Sequence, residues 1–164
     1  MPVISCTTRP QRTNEQNGID YYFVTEEQFH LLEQENKIVE KRQYSTTKGL
    51  WFYFTPRFTL LPEKNYILIT TPEGVEHLEA NYGPAIIRVI YLVLDDKERL
   101  ERCIKRESLQ PMPDYEEVCR RFLADQKDFS DTVIAKLPNV RYIPTNTNIK
   151  TCVQRWWELY ETEI

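Results

Sequence analysis

Glycine is scarce in this 164-residue chain, with only 4 (Gly18, Gly49, Gly74 and Gly83), none of them followed by lysine. That excludes the G-x-x-x-x-G-K-[S/T] loop and the G-x-G-x-x-G turn, the two commonest backbone cradles for nucleoside triphosphates and dinucleotides. Cysteine is equally uninformative as a scaffold. Cys6, Cys103, Cys119 and Cys152 are widely spaced with no C-x-x-C pair, so they read as free thiols of a reducing compartment rather than zinc or redox ligands. The 2 histidines, His30 and His77, have no second ligand at useful spacing and read as structural or solvated. No apolar run approaches the roughly 20 residues of a membrane span, and no basic patch precedes a leader-like stretch, so a cytoplasmic protein is expected. Nor is there an excess of positive charge: 21 Lys and Arg stand against 25 Asp and Glu, a net charge of -4, which argues against generic nucleic-acid binding. What is present is apolar area, with 41% hydrophobic and 12% aromatic residues, enough for a folded domain rather than a disordered chain.

Periodicity orders this material. Pro2–Ser5 reads as a short strand running into a polar loop (Cys6–Gly18), and Asp20–Val24 as a second extended piece. Thr25 and Gln28 form a capping box that opens a helix with Phe29, Leu31 and Leu32 inward. Ile38–Tyr44 and Leu50–Thr55 read as two strands around a polar turn at Ser45–Gly49. Tyr66–Thr71 has the look of a buried strand, followed by a helix from Pro72 to Gly83. Ile86–Leu94 is the strongest strand pattern. A helix from Asp95 or Asp96 through Arg106, a proline-bearing loop (Leu109–Pro113), a helix from Asp114 towards Phe129, a strand at Val140–Thr145 and an amphipathic helix at Asn148–Tyr160 complete the order. Strands alternating with helices imply parallel βαβ units and a helix-covered sheet, an α/β fold. No linker or internal repeat breaks the chain, so one domain over 1–164 is expected.

Four constellations could carry chemistry. In SCTTRPQR, Arg9 and Arg12 at a strand end, stiffened by Pro10, would clamp an oxyanion through their planar forks, or would be scattered charges of a solvated loop. Tyr21 and Tyr22 in DYYF would add phenolic donors to the same anion, or pack in a core. Glu40, a carboxylate in the strand beginning IVE, accepts two hydrogen bonds side by side. Guanine alone among the bases offers an N–H and an NH2 on one edge, so a carboxylate can choose it; the competing reading is a surface ion pair with a neighbouring lysine. Finally Arg99, Arg102 and Arg106 line one helix and Arg120 and Arg121 the next, flanking the proline loop as a lid would, unless the interspersed glutamates hold them in intrahelical pairs.

The ordered run SCTTRPQR, Glu15, Gly18, DYYFV, TEEQF and IVE at Glu40 resembles the guanylate kinases, whose stretch reads S-x-T-T-R-x-P-R then E-x-x-G-x-D-Y-x-F-V. Pro10-Gln11 inverts that family's usual placement of the proline. The resemblance implies a three-layer, P-loop-NTPase-like parallel sheet of the nucleoside monophosphate kinase type. A β-rich GMP-binding region would span about 13–60 and a lid about 106–114. By motif, Arg9, Arg12, Tyr21 and Tyr53 would hold the phosphate of GMP, and Ser5, Glu40 and Thr55 would face guanine. Arg106 and Arg121 would be the catalytic lid and post-lid arginines. Tyr53 and Thr55 follow from aligning FYFTPR with Y-Y-G-[T/S], with about four extra residues after Tyr44 and Phe54 in place of a glycine.

Two departures qualify the resemblance. Nothing before Pro2 supplies the family's first strand and ATP-binding loop, and the family's D-x-D falls on Ile69 and Thr71. The chain by itself is therefore expected to lack catalysis, with no metal site. Mg and ATP would enter only if an upstream P-loop exists, in which case ATP:GMP phosphoryl transfer is expected. The missing strand predicts an open slot between Tyr66–Thr71 and Ile86–Leu94, left by a fragment or by a remodelled relative that has closed its sheet, or filled by a homodimer or another partner. The alternative class is a catalytically inactive guanylate-kinase-like interaction module whose former GMP pocket binds a phosphorylated partner. No nucleic acid and no membrane are expected as partners.

Overall fold

The computed structural model describes residues 1–46, 48–138, 140–145 and 148–161. They form two compact units, Met1–Ile87 and Arg88–Ile164, each described by itself.

Unit 1 is built on a four-stranded sheet with strands β1 (Cys6–Thr7), β2 (Tyr22–Phe23), β3 (Ile38–Thr46) and β4 (Gly49–Pro56) in the order β2-β1-β4-β3. β1 runs parallel to β2 and antiparallel to β4, and β3 and β4 form a long hairpin. Gly49 has φ +114, a conformation that L side chains rarely adopt, so it turns the hairpin at little steric cost. The middle of the expected turn, Thr47, lies outside the described residues. Helix α1 (Glu26–Gln34) starts at the anticipated capping box: Gln28 N donates to Thr25 Oγ1 at 3.2 Å, and Thr25 N donates to Gln28 Oε1 at 2.9 Å. Its Phe29 stacks on Phe52 at 4.1 Å and closes a core with Cys6 and Phe54, flanked by Val24, Leu32 and Ile38. Leu31, expected inward, points to solvent, because a helix of 9 residues buries only one stripe and Phe29 and Leu32 already fill it.

The sheet therefore has an apolar face against α1 and an opposite, polar face. Alternation puts Ser5, Thr7, Tyr53 and Thr55 on the polar side, and the register pairs Thr7 with Tyr53 and Glu40 with Thr55. A bulge between Ile38 and Glu40 decides where Glu40 goes. Ile38 pairs with Pro56 and Glu40 with Thr55, so two residues that simple alternation would place on one face lie on opposite faces.

The expected strand at Tyr66–Thr71 is not one. It is extended, but its only ladder contact is an isolated parallel bridge of Ile67 with Pro2, and Ile69 is 89% exposed. Among the described residues only Met1–Val3 pairs with its backbone in a strand-like way, and a strand needs a continuous ladder. Helix α2 (Pro72–Tyr82) follows as anticipated, with Thr71 accepting from Gly74 N and Gly83 at φ 90 ending it.

Unit 2 holds a parallel pair, β5 (Ile90–Val93) and β6 (Arg141–Pro144), with helices α3 (Asp96–Glu107), α4 (Tyr115–Asp128), α5 (Asp131–Ile134) and α6 (Ile149–Glu161). The start of the expected strand at Ile86–Leu94 is instead a 3-10 turn, Pro84–Ile86, because Pro84 sets a helical φ there. Asp95 and Asp114 cap α3 and α4, as their sequence positions imply. The short helix α5 has no counterpart in the sequence reading.

Candidate functional site

The polar face of the unit 1 sheet carries two linked clusters. At one end Ser5 Oγ lies 3.1 Å from Thr55 Oγ1, which donates to Glu40 Oε1 at 2.6 Å. Ser5, Thr55 and Glu40 are all buried, Glu40 at 2% exposure. The start of α2 closes over this cluster: a methyl group on Gly74 would stand 3.3 Å from Glu40 Oε2 and 1.9 Å from Thr70 Oγ1, so any side chain there would force Thr70 to shift. Glu40 Oε2 and Thr70 Oγ1 are both buried without a hydrogen-bond partner.

At the other end Arg9 is 4% exposed, held by a bidentate pair with Glu15 at 2.7 and 2.5 Å and by Pro10 O at 2.9 Å. Its guanidinium lies over the rings of Tyr21 and Phe23, at 5.2 and 5.4 Å from their centroids. Tyr53 packs edge-on against Tyr21 at 5.9 Å and against Tyr44 at 5.6 Å. Burial by itself pulls Arg9 towards the neutral form, but its hydrogen bond to Glu15 and the negative potential of Tyr53, Glu15 and Tyr21 outweigh that and raise it above the usual arginine value. Burial likewise works against the Glu15 carboxylate, and is outweighed by hydrogen bonds from Arg9 and the Arg12 backbone and by the charges of both arginines, which hold it below the usual range. Arg9 Nε remains a buried donor with no partner. The Arg12 guanidinium approaches Glu15 at 3.7 Å, so both arginines converge on one carboxylate. The intervening loop is held by Gly18 at φ +80, whose N–H donates to Tyr21 O at 2.8 Å.

Seven of the anticipated residues, Ser5, Arg9, Arg12, Tyr21, Glu40, Tyr53 and Thr55, thus belong to one sheet face or the loops at its edge. Arg106 and Arg121 belong to unit 2. Arg106 sits in the last turn of α3 with Nη2 3.8 Å from Cys103 Sγ; Arg121 on α4 faces the buried Glu117 at 3.6 Å, which also holds Arg120 bidentately. Three residues of the face escaped sequence reasoning. Glu15 was only a motif position, Tyr44 ended a strand, and Arg42 was not singled out, although its i+2 spacing from Glu40 was a usable signal.

The family's acidic pair maps to Ile69, an exposed hydrocarbon, and Thr71, whose hydroxyl is engaged in capping α2. Neither suits a magnesium shell, and among the described residues no group of three or more His, Cys, Asp or Glu could hold a metal ion.

The family model described as guanylate kinase matches residues 2–108. The chain belongs to the guanylate kinase family. It is 29% identical over 138 residues to the guanylate kinase of Thermobifida fusca, covering 80% of this chain and 67% of that protein. With the guanylate kinase of a Synechococcus strain it shares 35% identity over 105 residues, 62% of this chain and 46% of the relative. It thus spans from about half to two thirds of the length of these relatives. Among solved structures, guanylate kinase from Anaplasma phagocytophilum superimposes with a TM-score of 0.63 at 19% identity, over 99% of this chain and 75% of that one. That likeness places this guanylate kinase family member in the P-loop-NTPase-like α/β class. No helix among the described residues is long and apolar enough to cross a membrane.

Proposed function

We propose that the polar face of the unit 1 sheet binds GMP. Arg9, Arg12, Tyr21 and Tyr53 take the phosphate, and Ser5, Glu40 and Thr55 face the base. The observation that carries this reading is a pair of buried polar atoms on one face that make no hydrogen bond, the Arg9 Nε donor and the Glu40 Oε2 acceptor, the latter in ion-pair contact with Arg42 Nε at 3.2 Å. An unpaired buried polar atom is costly, and a nucleotide with an anionic end and a base edge of N–H donors would satisfy both. The aromatic rings around Arg9 exclude water from the anion, which strengthens each charge-assisted bond.

Phosphoryl transfer is a further step of the proposal. It needs ATP and Mg in a glycine-rich cradle, and the phosphate-loop glycine pattern does not occur in the 164 residues. Where a P-loop segment supplies them, Arg106 and Arg121 would neutralise charge on the transferring phosphoryl group. A cytoplasmic setting, where nucleoside monophosphates circulate, fits the same reading.

Isothermal titration of the chain with GMP tests the pocket. Binding in the micromolar to millimolar range is expected, and Arg9→Ala is expected to weaken it by about ten- to a hundredfold, the worth of a hydrogen bond to a charged group. No heat at millimolar GMP, or an unchanged affinity in Arg9→Ala, would refute the reading. Binding of a phosphoserine peptide without GMP binding would replace it with an interaction module.

A further inference from the structure

Glu40 is already occupied. Its Oε1 accepts from Thr55 Oγ1 at 2.6 Å and from Arg42 Nη2 at 3.4 Å. Oε2 stands 3.2 Å from Arg42 Nε, but the alignment makes no hydrogen bond, and both atoms are buried without a hydrogen-bond partner. Arg42 lies two residues along β3 on the same face, opposite Tyr53, with only 15% of its side chain exposed against 0% for Glu40. Its guanidinium therefore belongs to the polar face rather than to solvent.

This changes what the carboxylate can read. To choose guanine, a carboxylate must receive the ring N–H on one oxygen and the exocyclic amine on the other. Here both lone pairs of Oε1 are engaged, so Oε2 is the one oxygen left open to the base and the side-by-side pair of acceptors is lost. Building on the GMP-pocket reading, we infer that Arg42 is the residue that sets base selectivity, and that it relaxes it. The pocket rewards the N1–H shared by the 6-oxopurines guanine and hypoxanthine. It does not reward the 2-amino group that guanine alone carries. Adenine in the same pose is disfavoured, because its N1 presents a lone pair to the carboxylate where the 6-oxopurines present an N–H. Thr70 Oγ1, orphaned beside Glu40 at the start of α2, suits this tolerance, since a hydroxyl can donate or accept.

Titration of the 164-residue chain with GMP, IMP and AMP tests the inference. In the wild type, GMP and IMP are expected to bind within about threefold of each other and AMP at least about tenfold more weakly, given the usual worth of a hydrogen bond to a charged group. Arg42→Met keeps the apolar stem and removes the donors. It is expected to raise the GMP-to-IMP affinity ratio by about tenfold, as Oε1 becomes free for the 2-amino group. Arg42→Lys, which keeps a cation beside Glu40, is expected to leave the ratio near the wild-type value. A wild-type preference for GMP over IMP of about tenfold or more, or a ratio unmoved by Arg42→Met, overturns the inference. The readout is a ratio, so a general loss of packing in the variant does not imitate it, and the wild-type ratio decides the matter even if the variant does not fold. If none of the three nucleotides binds, the pocket reading itself fails and takes this inference with it. Binding with the wrong ratio overturns the role of Arg42 alone.

Discussion

The two units solve the same problem, covering a small sheet with helices, to very different depths. Unit 1 buries Phe29, Phe54, Thr7, Thr55 and Glu40 almost completely, and its sheet is used on both faces, one apolar and one polar. In unit 2 the buried side chains among the described residues are Val118, Ile134, Ile143 and the ion-paired Glu117; α3 and α6 bury none, and Leu92 of β5 is 59% exposed. The difference shows what a buried polar site requires. Glu40 and Arg9 can sit dry because a rigid aromatic core holds the other side of the same strands and fixes their register. The arginines of α3 and α4 instead lie on helix faces with partners three or four residues away, as in Arg102 with Glu98 and Arg120 with Glu117.

Truncating each core tests this contrast most strongly. Phe54→Ala is expected to cost about 3–5 kcal/mol, whereas Ile143→Ala falls at the lower end of about 2–5 kcal/mol, because fewer buried neighbours surround the cavity it leaves. Denaturant midpoints of the two variants measure this, and equal losses would break the comparison.

Next in size is the ion pair that holds Arg9. Glu15→Gln removes the charge that Arg9 faces and is expected to cost about 2 kcal/mol, less than a fully buried pair because Glu15 keeps some exposure. Arg102→Gln, breaking the exposed pair with Glu98, is expected to cost less than about 0.5 kcal/mol. Thermal unfolding of the two variants gives the ranking, and a larger loss for Arg102→Gln would reverse the reading of the two regions.

The smallest effect concerns acid, and its sign differs between the units. Glu15 is held below its ordinary value of 4.5, so its contribution is present above that pH and is lost as pH falls towards the lower folded value. Asp125 on α4 is raised from 3.8, chiefly by burial, with Arg99 and Arg121 only partly offsetting it. It therefore disfavours folding above its folded value, and that penalty disappears as pH falls to 3.8. Glu15→Gln should flatten the loss of stability on acidification below pH 4.5, and Asp125→Asn should raise stability near neutral pH. Denaturation curves between pH 3 and 7 check both, and an Asp125→Asn variant less stable than wild type at pH 7 would contradict the second.

Much of this protein was legible in local sequence. The Thr25 capping box, Pro72 and Gly83 around α2, and Asp95 and Asp114 before α3 and α4 act within a few residues, so they could be read directly. Arg9 and Arg12 were recognisable by residue type and spacing, and Glu40 by its oddity in an apolar run. Tyr66–Thr71 was misjudged because apolar content measures a liking for burial, whereas a strand also requires a partner ladder. Leu31 was misjudged because helical spacing does not say how wide the buried stripe is.

By itself the sequence determined the family, most of the order of elements and the residue types available to the candidate site. Tertiary structure alone decided how those residues are arranged. The bulge after Ile38 turns Glu40 to the polar face against simple alternation, and the β3–β4 register sets Arg42 opposite Tyr53. Both depend on which residues face each other across strands. Cross-strand pairing is set by the packing of Phe29 on the far side of the sheet as much as by the strand's own residues, so no local pattern records it.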